Sequence, residues 1–152
     1  MKVYERVVLS VLLYNSKTWA LKESTKKKLR VFEMSCLRKI KGVTRRNRVR
    51  NTEIRRELKV ETDVVQIIQR RRLRYFGHIT RMSGERLPAI AFSGNVHGLR
   101  KRGRPKKRWE DNLKADLDEM GYTMVEAIRL ASSDQDVWRK SVLGCQSVAR
   151  HR

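Results

Sequence analysis

The sequence predicts an all-α protein, an irregular small assembly of five to seven helices joined by basic loops. Three observations lead there. Apolar residues recur at helical spacing in one segment after another, capping residues and glycines punctuate those segments, and the connections between them are rich in arginine. The chain has 152 residues, near the size of one ordinary domain, so one compact unit or two very small ones are expected. It carries 37 Lys and Arg against 16 Asp and Glu, a formal net charge of +21. Hydrophobic residues, at 39%, suffice for a modest core, while charged residues, at 35%, exceed the roughly 25% of an average soluble domain. Such a surplus opposes compaction through self-repulsion unless a polyanion neutralises it. The balance points away from an independently folded small-molecule enzyme and toward a nucleic-acid or anionic-surface partner.

Taken in order, residues 1–14 are rich in Val and Leu and read as a buried helix, with a strand as the alternative. Asn15, Ser16 and Lys17 break it, and Trp19 and Leu21 follow in a linker. Ser24 or Thr25 can cap a helix that runs to about Lys41. Its apolar residues Leu29, Phe32, Cys36, Leu37 and Ile40 fall at i, i+3, i+7, i+8 and i+11, and Gly42 ends it. Residues 44–50 have no apolar period and four arginines, so they form a basic loop. Asn51 or Thr52 begins a short helix ending near Leu58.

A longer helix starts at Thr62 or Asp63 and runs to about Met82, with Val65, Ile68, Phe76 and Ile79 on its apolar stripe. Arg72 falls within that stripe and must snorkel, pair with an acid or meet an anion, because an unpaired buried charge costs several kcal/mol. Residues 83–104 hold four of the eight glycines and form a connection, with a short turn of helix near Pro88 and Phe92. Arg104 and Pro105 open the next helix, since proline suits a first helical position. Trp109, Leu113, Leu117 and Met120 form its stripe, and Gly121 stops it. Thr123 and Glu126 make a capping box for a helix to about Ala131. Ser133 or Asp134 begins the last one, carrying Val137, Trp138 and Val142.

Charge is not spread evenly. Residues 26–59 hold 14 basic and 3 acidic side chains and residues 70–108 hold 13 and 1, whereas residues 109–138 hold 2 and 8. Clustered basic charge of this density is the electrostatic footprint of a nucleic-acid binder. Within the basic blocks, Arg45, Arg46 and Arg48, then Arg70, Arg71 and Arg74, then Arg102, Arg104, Lys106 and Lys107 are the candidate phosphate contacts. Tyr75 and Phe76 beside the second group either stack a base or fill the core of their helix, and the core role is the simpler one. The string Arg102-Gly103-Arg104-Pro105 resembles the core of an AT-hook, in which two arginines lie in a narrow A·T-rich minor groove. Its alternative is a loop-to-helix junction.

Several classes are excluded. Cys36 and Cys145 have no pattern that supports a disulfide framework or a zinc site, which suits a reducing compartment, nuclear or cytoplasmic rather than secreted. The apolar run at residues 7–14 is too short to span a bilayer, so no membrane partner is expected. His78, His97 and His151 are scattered, with no Cys or carboxylate at metal-ligand spacing. Asp116 with Asp118, and Asp134 with Asp136, point to different helix faces and read as polar-face residues or partners for the excess arginine. Neither a phosphate-binding glycine loop nor a nucleophile elbow is present.

Five motifs in order carry a family resemblance. Leu13-Tyr14-Asn15-Ser16-Lys17-Thr18-Trp19 resembles the "LLYGSETW" string of non-LTR (LINE-type) retrotransposon endonuclease–reverse transcriptases, and Phe32-Glu33-Met34-Ser35-Cys36-Leu37-Arg38 resembles their "FEMWCLRR". Arg48-Val49-Arg50-Asn51, then Arg72-Leu73-Arg74-Tyr75-Phe76-Gly77-His78, then Arg102-Gly103-Arg104-Pro105 through Trp109 follow in the family's order. The resemblance implies the region after the polymerase palm: a thumb-end helical segment with a basic loop (residues 1–82), a Gly-rich basic connection (83–104) and a C-terminal helical segment (105–152). It further implies template RNA or target DNA as partner, together with the palm of a parent RNA-directed DNA polymerase. The parent would use Mg2+, whereas this chain would hold no cofactor. The family's Tyr-x-Asp-Asp turn is not in this sequence, so no catalytic residue carries over and the chain reads as non-catalytic. Asn15 and Lys17 replace a Gly and a Glu of the first motif, and Ser35 replaces a Trp. A structural or interaction module without binding of its own is the competing reading, and an AT-hook-like DNA binder is a third.

Overall fold

A computed structural model of the chain describes residues 3–94, 102–103 and 106–144. These residues form eight α-helices with shorter π- and 3-10-helical turns, and no strand occurs among them. The chain divides into two compact units, Met1–Gln69 and Arg70–Arg152, with the boundary inside the fourth helix.

In the first unit, a π-helical stretch (Tyr4–Leu9) passes into α1 (Ser10–Leu12). Tyr4 and Leu13 are buried, whereas Val3, Val7, Val11 and Tyr14 are exposed at i, i+4, i+8 and i+11. The expected helix is therefore present, but only one of its apolar faces is covered within the described residues. Asn15, in the left-handed region at φ 50°, turns the chain into a 3-10 turn (Ser16–Thr18).

The long helix α2 (Glu23–Lys41) ends as expected at Gly42, whose φ of 74° places it in the left-handed region. Gly42 N donates to Lys39 O at 3.2 Å and Val43 N to Arg38 O at 3.0 Å, the paired bonds of a Schellman stop. Its buried face differs from the one expected. Phe32 and Ile40 remain 45% and 41% exposed, while Glu33, Met34 and Leu37 are buried. The cause is a pair of ion pairs on one side of the helix, Arg30 with Asp63 at 3.1 Å and Glu33 with Arg55, which fix its rotation. Leu29, Glu33 and Leu37 then form a line at i, i+4 and i+8, with a carboxylate where the apolar stripe predicts Phe32.

The short α3 (Asn51–Glu57) brings Ile54 against Tyr4, Met34 and Leu37. The helix α4 (Val64–Thr80) begins with a reciprocal cap: Asp63 N donates to Gln66 Oε1 at 2.9 Å, and Gln66 N to Asp63 Oδ1 at 2.8 Å. Val64, Val65 and Ile68 pack with Leu13 and Leu21 in a second apolar cluster of this unit.

In the second unit, the C-terminal half of α4 is followed by α5 (Leu87–Ser93), α6 (Trp109–Glu119), α7 (Met124–Ser133) and α8 (Gln135–Gly144). The core combines Leu73 and Phe76 of α4, Leu113 and Leu117 of α6, Ala127 and Ala131 of α7, and Trp138 and Val142 of α8. Phe76 meets Phe92 and Trp138 edge-on, with ring centroids 5.8 and 5.7 Å apart, which assigns it to the core rather than to base stacking. Tyr75 packs edge-on to Trp109 at 6.3 Å.

Helix α6 starts at Trp109, and Lys106, Lys107 and Arg108 precede it in non-helical backbone. The expected start at Arg104 and Pro105 is thereby corrected; those two residues lie outside the described ones. Asp111 accounts for the later start, since its carboxylate accepts from Arg108 N at 2.7 Å and closes the first turn there. Gly121, at φ 77°, ends the helix with a second Schellman pair. Thr123 and Glu126 form the expected capping box. Asp134 Oδ1 accepts from the Asp136 and Val137 amides at 2.8 and 3.0 Å, and these bonds hold its carboxyl below the usual carboxylate range.

Two contacts hold this unit together. Arg72 is 1% exposed and pairs with Asp116 of α6, so of the three fates open to it pairing with an acid is the one adopted. Trp138 Nε1 donates to Leu73 O at 3.2 Å, and the indole lies over Gly77 so closely that a Cβ there would come within 2.6 Å of Trp138 Cδ1. Gly77 is therefore the slot for the tryptophan. Gly77→Ala is expected to destabilise the second unit by about 1–3 kcal/mol through overpacking, read from a urea transition followed by tryptophan fluorescence. Asp116→Ala, which strands the Arg72 charge, is expected to cost about 3–5 kcal/mol, while the paired apolar replacement Arg72→Met with Asp116→Leu restores most of it. Equal loss in the single and double variants would contradict this account.

Candidate nucleic-acid interface

The candidate contact residues fall into three groups, each on a local framework. Arg45, Arg46 and Arg48 occupy the connection between α2 and α3, where Arg45–Asn47 form a 3-10 turn. The turn is braced from within: Asn47 Oδ1 accepts from Thr44 N at 2.8 Å and from Thr44 Oγ1 at 2.7 Å. Val43 before it and Val49 after it tuck against the Tyr4, Leu37 and Ile54 cluster. The three arginines between these anchors are exposed, as is Arg50. No carboxylate of the described residues pairs with Arg45, Arg46 or Arg48.

Arg48 adopts φ 52°, the left-handed region that glycine or asparagine ordinarily fills. A residue chosen for backbone comfort alone would be different. The strain places a third guanidinium on the same turn, in a run where Arg45, Arg46, Arg48 and Arg50 stand within six positions.

Arg70, Arg71 and Arg74 lie on α4, in the second unit. Arg71 and Arg74 are exposed and three positions apart, so their side chains emerge as neighbours on one face, with His78 one turn beyond. Arg70 is half-buried and donates to Leu143 O at 3.4 Å, a carbonyl in the last turn of α8, where a cation complements the helix dipole. Arg70 thus serves the fold at the same time. Of the third group, Arg102 and Lys106 are exposed and Lys107 is half-buried ahead of α6; Arg104 lies outside the described residues.

The carboxylates are placed elsewhere. Asp116 takes Arg72, Glu33 takes Arg55, Asp63 takes Arg30 and Glu57 takes Lys41 at 2.7 Å. Burial pushes the Glu33 carboxyl up, and the adjoining Arg55 guanidinium pulls it back. Tyr4 is pushed up to about 12 by burial and by the Glu33 charge beside it. These acids neutralise cations that the helices bury or cross. Among the described residues no three His, Cys, Asp or Glu side chains gather so as to hold a metal ion, and no helix is long and apolar enough to cross a membrane.

Sequence reasoning missed Arg38, whose Nη2 donates to Val49 O at 3.1 Å and to Asn51 Oδ1 at 2.8 Å. Nothing in the local pattern separates it from the other cations of its block. Glu33 was findable, since it shares the i, i+4, i+8 line with Leu29 and Leu37.

The fold and these surfaces define a basic all-α chain whose surplus cations are held on braced turns and helix faces. The chain is similar to a curated Caenorhabditis elegans protein described as an uncharacterized transposon-derived protein. The two are 24% identical over 119 residues, covering 76% of this chain and 43% of that protein. The match thus spans less than half of that protein's length, and it is consistent with a transposon origin for this chain. No protein-family model matches the chain, and no solved structure matches it.

Arg48→Gly is expected to stabilise the first unit by up to about 1 kcal/mol by relieving the left-handed strain. The same change removes one guanidinium from the turn and weakens any polyanion bound there. Thermal melts with and without a bound oligonucleotide would read both effects, and destabilisation of the free chain would contradict the strain argument.

Proposed function

We propose that the chain is a nucleic-acid-binding part of a LINE-type reverse transcriptase, gripping the backbone of template RNA or target DNA without a polymerase or endonuclease centre of its own. The observation that carries the reading is the separation of cations into two sets. One set is paired or packed within the fold, and the other, with Arg45, Arg46, Arg48 and Arg74 as its clearest members, is exposed with no carboxylate beside it. The five ordered motifs and the similarity to a transposon-derived protein support the placement in a mobile element.

The chemistry required is modest. Arginine guanidinium groups donate two parallel hydrogen bonds to phosphate oxygens, and their charge releases condensed counterions from the polyanion. Both contributions are indifferent to base sequence, so the reading implies grip and placement rather than sequence choice.

One observation favours a second reading, minor-groove binding to A·T-rich duplex through Arg102-Gly103-Arg104-Pro105. Lys106, Lys107 and Arg108 stand ahead of α6 instead of inside it, which leaves this stretch outside the helix that the junction reading requires.

A filter-binding titration tests both. With six to ten phosphates engaged, affinity is expected to fall roughly 10³- to 10⁵-fold between 50 and 200 mM salt. Each Arg→Gln change at a contact lowers the salt slope by about one. The absence of a salt slope on RNA and DNA alike would remove the proposal. Preference for A·T-rich over G·C-rich duplex, lost on Arg102→Gln, would favour the second reading.

A further inference from the structure

We infer that Arg38 is the positioning residue of the arginine turn between α2 and α3: it does not touch the nucleic acid but sets the geometry in which Arg45, Arg46 and Arg48 meet it. The inference rests on the reading of that turn as a phosphate contact and adds a role for a residue outside the contact set.

Arg38 sits in the last turn of α2, three residues before Lys41, and its guanidinium is turned inward. Nη2 donates to the carbonyl oxygen of Val49 at 3.1 Å and to Oδ1 of Asn51 at 2.8 Å. Nε is sealed from solvent with no partner. Both acceptors are neutral, and no carboxylate of the described residues pairs with Arg38. A cation held this way is a poor phosphate ligand, because one nitrogen is inaccessible and another already has two acceptors.

The two acceptors flank the exit of the turn. Val49 follows Arg48 directly, and Asn51 is the first residue of α3. The entrance is held by the Gly42 stop of α2, and the tip by the Thr44 to Asn47 brace. Arg38 therefore supplies the side-chain clamp on the exit, immediately after the one arginine of the turn that sits in the left-handed region. Without it, Arg48 and Arg50 lose the anchor that restrains the chain between them. Lysine does not reproduce this geometry, since its ammonium ends one bond short of Nη2 and lacks the rigid guanidinium plane that aims both N–H groups of that one nitrogen at Val49 O and Asn51 Oδ1. Residual charge at position 38 would preserve long-range attraction only.

The test is a double-mutant cycle on the full chain, with RNA and duplex DNA oligonucleotides as probes. Arg38→Met and Arg38→Lys are each measured in the native background and in the triple variant Arg45→Gln, Arg46→Gln, Arg48→Gln. Positioning predicts that both changes weaken binding roughly 3- to 10-fold in the native background, the range for losing one or two hydrogen bonds. It predicts that the effect disappears in the triple variant and that the salt slope of the native background stays unchanged. Asn51→Ala, at an exposed acceptor, is expected to reproduce part of the loss and keeps the test open if the Arg38 variants fail to fold. An Arg38→Lys variant that binds as tightly as the native chain would show that charge alone acts there and would overturn the inference. So would an undiminished effect in the triple variant. If the triple variant itself binds as well as the native chain, the turn is not a contact, and the reading of the turn fails together with the positioning role.

Discussion

The placement of carboxylates is the constraint on which the structure depends. With 16 acids against 37 bases, each acid has more than two candidate partners, and most pairings would contribute little. Exposed pairs such as Lys114 with Glu110 or Arg139 with Asp136 are worth about 0–1 kcal/mol. A buried cation without a partner is a different matter and costs several kcal/mol. Asp116 removes that cost for Arg72 in the second unit, and in the first the half-buried Arg55 does the same for the buried carboxylate of Glu33. Asp63 does two tasks at once, capping α4 through Gln66 and holding Arg30 of α2. Each of these acids decides which face of a helix turns inward.

That dependence explains what could be read from sequence and what could not. Helix ends were legible because their causes are local. Gly42 and Gly121 stop their helices through left-handed backbone and paired amide bonds, and Thr123 with Glu126 starts α7 within four residues. Rotation about the helix axis was less legible. Periodicity groups Leu29, Phe32, Cys36, Leu37 and Ile40 on one broad stripe, but Arg55 and Asp63, far along the chain, select the edge that carries Leu29, Glu33 and Leu37. The start of α6 was misplaced because Pro105 offers a familiar signal, while Asp111 closes the first turn only at Arg108. The candidate contact residues were legible as clusters of charge. Arg38 was not, because its role comes from two acceptors eleven and thirteen residues away and not from its composition.

The ordered motifs that carry the family resemblance acquire physical content in this fold. Arg38 closes the second motif, and its acceptors Val49 and Asn51 belong to the third, so one side chain joins two separate strings. In the fourth, Arg72 is the buried partner of Asp116, Leu73 offers its carbonyl to Trp138, and Gly77 makes room for the same indole. The alternation of buried and exposed residues within that string separates its duties. Arg72, Leu73 and Phe76 hold the core, and Arg74 and His78 face solvent. A motif dense in arginine thus combines a structural cation and an exposed one only two residues apart, with helical geometry deciding which is which.

The same geometry bears on why so uneven a charge is tolerated. The pairs that hold the helices involve cations whose removal would leave gaps or stranded carboxylates. The exposed arginines of the α2–α3 turn support no packing, repel one another and include a residue in strained backbone. By stability alone they are a liability concentrated in one short segment. A polyanion changes this balance: repulsion among the guanidinium groups becomes shared attraction to phosphate, and the backbone strain, which stays, is offset by the contacts the turn presents. The liability and the proposed activity therefore sit on the same residues, and the clamp at Arg38 holds them in place before any ligand arrives.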